Sequence, residues 1–275
     1  MMRSMFAAIS GLKVHQTMLD VVSNDIANVN TLGHKSQRTT FKDSLAQLQK
    51  GGAAPNASQG GSNAAQVGLG VQLNSIDNLM GSGALQSTGN VLDVAIQGDG
   101  WFRVANGNPP AAATNVQYTR AGNFTRNQDG YLVTQDGYYV MGRPNANGSG
   151  ADSYLNIPQG ATNVAIGPDG SVSYDNAAGT RTTAGYLSLA KFANEAGLER
   201  ASSNRWSASQ SSGDETVGVP GGVYGRTTSG TVEMSNVDLA SEFTSMITAQ
   251  RGFQANSRVI STSDELLQDL VNLKR

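Results

Sequence analysis

Residues 2–35 read MRSMFAAISGLKVHQTMLDVVSNDIANVNTLGHK, and residues 237–275 read VDLASEFTSMITAQRGFQANSRVISTSDELLQDLVNLKR. Both carry apolar side chains at alternating three- and four-residue steps, the spacing of one helix stripe. In the first the stripe is Met2, Met5, Ile9, Leu12 and Leu19, continued by Ile26, with polar Gln16 and Ser23 in the two remaining seam positions. In the second it is Leu239, Phe243, Met246, Phe253, Ile260, Leu267 and Val271, interrupted by Gln250, Ser257 and Asp264. The first helix is expected to stop near Asn28–Asn30, where Gly33 can take the left-handed conformation that turns the chain away. The second is expected to be capped by Asn236 or Ser235, with Asp238 and Glu242 in its first turns and Lys274 and Arg275 at its end, all matching the helix dipole. A helix from Val237 to Leu273 is roughly 55 Å long.

Outward from these ends the composition changes. Of 33 glycines only Gly11, Gly33 and Gly252 fall within residues 1–50 and 237–275, and all seven prolines lie from Pro55 to Pro220. Both residues punish helix interiors and serve turns, so helical ends flank a turn-rich β middle. Residues 50–66, KGGAAPNASQGGSNAAQ, hold no large apolar side chain and read as a loop ordered only by neighbours. Short β-like runs follow at Val67–Leu73, Val91–Ile96, Trp101–Val104, Tyr131–Thr134, Tyr138–Met141, Val164–Ile166, Val172–Tyr174 and Tyr186–Phe192, punctuated by Gly-Asp-Gly, Gln-Asp-Gly and Pro-Asp-Gly turns. The fold class is therefore α+β: long terminal helices forming a coiled-coil core, with an antiparallel β domain inserted between them. The expected division is a helical core of residues 1–32 and 237–275, a connecting region of 33–75 and 214–236 that includes loop 50–66, and an outer β domain of 76–213.

Several function classes are disfavoured. With 19 basic and 21 acidic side chains and only 15% charged residues, no basic face is available to displace the counterions of a nucleic acid. There is no cysteine and there are only two histidines, which rules out disulfides and leaves little for a transition metal. No run of about 18 apolar residues predicts membrane insertion, and the N-terminus, broken by Ser4, Ser10, Gly11 and Lys13, does not read as a cleaved signal peptide. Thr125, Asn127, Asp129, Gly130 and Asp136 fall at calcium-loop-like offsets, but the first position is Thr, the last is Asp, and the flanks are β-like, so hairpin turns explain them. His15 reads as a packing residue of the first helix, and His34 as a group near its last carbonyls. The sequence shows no nucleophile elbow and no dinucleotide or phosphate-binding loop, so no catalytic, cofactor or metal residue is assigned. Asn56, Asn123 and Asn147 open Asn-x-Ser/Thr triplets, common by chance in such a composition.

The segment Ser10–Lys35 carries Leu-Asp-x-x-x-x-Asn-x-Ala-Asn-x-x-Thr-x-Gly from Leu19 to Gly33, and resembles the opening signature of bacterial flagellar rod and hook proteins. The likeness continues in LDVAIQGDGWFRV (Leu92–Val104), in YTRAGNFTRNQDGYLVTQDGYYVMG (Tyr118–Gly142) and in the closing block Glu233–Leu273. The matching motif positions are Asn24, Ala27, Asn28, Thr31, Gly33, Asn236, Asp238, Gln250, Arg251 and Asn256. The resemblance implies a self-polymerising tube whose terminal helices line a channel. It also implies neighbouring rod, hook-cap and hook-filament junction proteins as partners, and export without a cleaved signal peptide through the flagellar type III apparatus. Gln250–Asn256, Glu233–Leu239 and the ending Asn272–Arg275 look more like a hook protein, so a short hook, a flexible universal joint, is the first expectation. A distal rod subunit, a drive shaft, is the second, suggested by the short chain and the long stretch from Phe41 to Gln66. A secreted β-rich binding module is the reading from a different class.

Overall fold

The computed structural model describes residues 2–55, 60–107, 109, 114–146 and 150–272, so Asn56, Asn147, Lys274 and Arg275 lie outside the described residues. The chain forms two compact units, one of residues 1–27, 37–78 and 238–275 and one of residues 28–36 and 79–237.

The first unit contains helix α1 (Met2–Ala27), strands β1 (Gln37–Asp43), β2 (Ala46–Lys50), β3 (Ala65–Gly68) and β4 (Val71–Asn78), and helix α2 (Leu239–Asn272). The cap of α2 is Asp238, not Asn236 or Ser235: its carboxylate accepts the Ala240 N–H at 2.9 Å and its carbonyl accepts the Glu242 N–H at 2.9 Å. Strands β1 and β4 pair antiparallel from Gln37↔Asn78 to Asp43↔Val71, with one irregularity at Thr40/Phe41. The ladder continues through Ser44 N–H to Gly70 O and Leu69 N–H to Leu45 O into the β2–β3 pair, and then to the bridge Ala53↔Ser62. Residues 37–55 and 60–78 thus form one long two-stranded ribbon. The stretch 50–66 forms its far end, whose residues 56–59 lie outside the described residues, and the expected run Val67–Leu73 is divided between β3 and β4 at Leu69–Gly70. The near half of the ribbon lies along α1, where Ser10 Oγ accepts the Val71 N–H at 3.3 Å.

The second unit is β structure. Strands β5 (Leu85–Ser87) and β6 (Val94–Gln97) pair antiparallel with Thr231–Glu233 and Arg226–Ser229 respectively. The main sheet runs, in spatial order, Thr162–Ile166, Ser171–Asp175, Arg181–Leu187, Tyr139–Arg143, β7 (Trp101–Asn106), β8 (Thr114–Thr119), Arg205–Ser207 and Glu199–Arg200, with antiparallel neighbours. Strand β7 is buried on both faces, as a central strand must be. Its alternation sends Phe102 and Val104 into a core with Val94, Ile96, Phe124 and Leu132, and sends Trp101 to a second cluster with Tyr118, Phe192 and Trp206. Asp129-Gly130, Asp136-Gly137 and Asp169-Gly170 all sit in turns, closed by Gly130, Gly137 and Gly170 N–H bonds to Asn127, Thr134 and Gly167 carbonyls. Asp136 is engaged by Arg205 Nη1 at 2.6 Å, and among the described residues no group of three or more metal-ligating side chains gathers there or elsewhere.

Candidate assembly interface

The helices of the first unit run antiparallel. Gly11 lies against Asn256 and Gly252 against His15, while Asp25 is close enough to Glu242 to disfavour its charge. The positions that bury are mostly small: Ala8, Gly11, Val14, Val21, Val22 and Asp25 on α1, Ala249 and Ser263 on α2. Small residues let two helix backbones come close, so the large apolar side chains are displaced to the flanks of the contact.

That displacement decides where the expected seam lies. Met5, Leu12, Leu19 and Ile26 on α1 and Met246, Ile260 and Leu267 on α2 are half-buried. Ile9, Leu239, Phe243, Phe253 and Val271 are exposed, Phe243 at 50% and Val271 at 68%. Met2 is exposed too, and so are Phe6, Ile247, Val259 and Leu266, which lie off the expected stripes. Such a density of exposed large apolar side chains on one helical unit is the pattern that interaction surfaces carry. The signal for the inner contact was present in the sequence as Ala8, Gly11, Ala249 and Gly252, but a stripe of small residues is weak beside one of Leu, Ile and Phe.

At the near end of the helix pair, Asp25 is fully buried and accepts the Gln37 N–H at 2.7 Å. Glu242 has its pKa pushed up, by burial first and then by the charges of Asp25 and Asp238. Among the remaining motif positions, Asn24, Ala27, Gln250 and Arg251 lie on exposed parts of the helices, and Asn256 is half-buried.

In the second unit, the motif residues after α1 are held tightly. The Asn28 carbonyl accepts the Thr31 N–H at 3.0 Å, and the Thr31 hydroxyl bonds Asn28 Oδ1 at 3.1 Å. Gly33 adopts φ +66°, and a Cβ there would stand 2.6 Å from the Ala121 nitrogen, so only glycine fits. Asn236 Oδ1 accepts the Ser36 N–H at 2.7 Å, and its amide donates to the Leu79 carbonyl at 2.8 Å and the Gly81 carbonyl at 3.1 Å. His34 is buried, and its carbonyl accepts the Asn236 N–H at 3.4 Å.

Beside this segment lies a buried ionic triad that sequence reasoning missed. Lys35 Nζ is 2.6 Å from Glu233 Oε1, and Arg120 Nη1 is 3.2 Å from Glu233 Oε2. Lys35 also donates to the Gly81 carbonyl at 2.9 Å, and Glu233 accepts the Gly83 N–H at 2.9 Å. Burial pushes the Lys35 pKa down, against the opposing pull of Glu233. The Arg120 guanidinium stands 5.3 Å from the Trp101 ring centroid. The triad joins the ends of three sequence blocks: Gly33-His34-Lys35, Tyr118-Thr119-Arg120 and Val232-Glu233-Met234. A cavity of about 380 Å³ nearby is lined by Thr31, Leu32, Asn123, Asp136, Asn204 and Arg205 among others. The Arg205 guanidinium is already occupied by Asp136, Gln117 and Ser202 and stacks 3.8 Å from the Tyr138 centroid, which describes a structural network rather than a reaction centre.

Residues 95–174 match the family described as flagellar hook protein FlgE/F/G D1 domain, and residues 228–273 match the C-terminal family of flagellar basal body rod FlgEFG proteins. The chain is 49% identical over 277 residues to the flagellar basal-body rod protein FlgG of Bacillus subtilis (strain 168), covering all of both chains. The chain belongs to the flagellar rod and hook protein family.

It is also 42% identical to FlgG of Agrobacterium fabrum, over 96% of this chain and 97% of the relative. The flagellar hook protein FlgE of Borreliella burgdorferi is 27% identical, over an alignment of 449 residues that spans both chains entirely. As a member of this rod and hook family, the chain is a structural subunit of the bacterial flagellum. The ranking of hook above rod is corrected by these relatives, since the rod proteins match at higher identity and without long insertions. The local features that favoured a hook, such as Gln250–Asn256, lie in the C-terminal block that the rod and hook proteins share.

Proposed function

We propose that the chain is a distal-rod subunit that polymerises with copies of itself into a stiff, torque-transmitting tube. The observation that carries this reading is length. The chain aligns with a rod relative over 277 residues, nearly residue for residue, whereas the hook relative needs 449 positions and so carries long insertions that a 275-residue chain lacks. In the tube the exposed side chains of Ile9, Leu239, Phe243, Phe253 and Val271, with their half-buried neighbours Met5, Leu12, Leu19, Ile26, Met246, Ile260 and Leu267, pack into neighbouring copies as coiled-coil contacts. Rod and hook proteins adjoin it as partners, and the flagellar type III apparatus delivers it. The ribbon of residues 37–78 leaves Leu45 at 78% exposure, and all of β2 and β3 are exposed. A two-stranded ribbon is at best marginally stable alone in water, so neighbouring subunits cover it and it braces the tube against bending.

The test is electron microscopy of basal bodies from the source bacterium with this gene deleted. Rods that stop short are expected. Complete rods lacking only the curved hook would restore the hook reading.

A further inference from the structure

Each helix of the first unit contains one glycine in its interior, a residue that weakens helices. Their surroundings explain why both are there. A Cβ built on Gly11 would lie 2.5 Å from Asn256 Nδ2, and one built on Gly252 would lie 2.5 Å from both Cε1 and Nε2 of His15. Real side chains do not approach so closely. Each glycine is therefore a notch, and each notch is filled by a polar side chain from the other helix, one in each direction. Four residues forward on α1, from Gly11 to His15, correspond to four residues back on α2, from Asn256 to Gly252. The stepping persists to Asp25 and Glu242 further along. His15 Nδ1 is buried without a hydrogen-bond partner, and Phe41 stands edge-on at 6.2 Å between ring centroids, so packing rather than bonding holds the imidazole.

We propose that these reciprocal notches are the register key of the helix pair: they fix the axial position of α1 on α2 and admit as partner only a helix with no side chain where Gly252 lies. A slip of one turn would set His15 against Asn256 or Thr248, and neither leaves room for the ring. Without the key, a seam of small residues specifies register weakly. The register in turn decides which large apolar side chains emerge around the pair, so His15 and Asn256 are specificity-determining residues of assembly although they need not touch a neighbouring subunit. This holds whether the polymer is rod or hook.

The full chain contains no cysteine, which allows a direct test. The same stepping sets Met18 opposite Ala249, so Met18→Cys with Ala249→Cys reports the register by disulfide formation in the monomer. Adding Gly252→Ala is expected to slow cross-linking about tenfold or more through overpacking, although helix propensity alone favours alanine. Adding His15→Ala as well is expected to restore it. Gly11→Ala, rescued by Asn256→Ala, provides the independent second key. Far-ultraviolet circular dichroism, which reads helix content, serves as the folding control for the helical unit. Should Gly252→Ala unfold the chain, the double variant decides. Undiminished cross-linking in the single variant, or no recovery in the double, overturns the proposal.

Discussion

Replacing Glu233 with Gln removes the anion that two buried cations share. The side chains of Lys35 and Glu233 are fully buried and that of Arg120 is 2% exposed, so little solvent is available to take over. The substituted amide keeps an oxygen for Lys35 and the Gly83 N–H but offers no charge, and turns an N–H towards Arg120. Breaking a buried pair by neutralising one partner costs about 3–5 kcal/mol. For a unit of this size each kcal/mol moves the melting temperature by roughly 2–4 °C, so a drop of roughly 6–20 °C is expected. The assay is thermal unfolding followed by tryptophan fluorescence, because both tryptophans of the chain, Trp101 and Trp206, lie in this unit's buried aromatic cluster. The triple variant Lys35→Met, Arg120→Met, Glu233→Met is expected to recover most of the loss, since apolar groups of similar volume can replace a buried ionic cluster at little cost. A melting temperature for Glu233→Gln within about 2 °C of the parent would refute the argument, by showing that water reaches the triad.

Phe253→Asp and Ile260→Asp are each expected to abolish polymerisation, scored by sedimentation, while the fluorescence melt of the β unit stays unchanged. Leu45→Ser with Leu48→Ser should leave monomer stability within about 0.5 kcal/mol, because both side chains are already exposed, yet yield shorter or more flexible polymers in micrographs. The Tyr118 hydroxyl is buried and donates to Glu215 Oε2 at 2.8 Å, and burial first, then that bond, pushes its pKa up. A raised pKa means that the folded state keeps its proton longer than the unfolded chain. The associated stability is present below the ordinary tyrosine pKa of about 10 and is lost as pH rises beyond it. Tyr118→Phe should therefore flatten the decline in stability above about pH 10 measured by urea titration.

The two terminal helices, the β middle and the family motifs were legible in the chain because each depends on local rules: a three-four apolar stepping, glycine and proline excluded from helix interiors, aspartate-glycine at tight turns. Strands β1 and β2 were not. QRTTFKD and AQLQK lack strong alternation, and their strand state rests on pairing with residues 15 to 41 positions away, from Lys50↔Ala65 to Gln37↔Asn78, a condition that their own windows of sequence do not contain. The contact face of the helices shows the same division. The apolar stripe was visible, but which stripe turns inward is set by how closely two backbones approach, and that depends on Gly11 and Gly252 meeting His15 and Asn256 across a helix pair. The triad is the clearest case. Lys35, Arg120 and Glu233 are separated by 85 or more positions, and each alone reads as an ordinary surface charge. Only the folded chain brings them together out of water, where a lone charge becomes costly and a matched cluster ties three distant segments of the chain to one another.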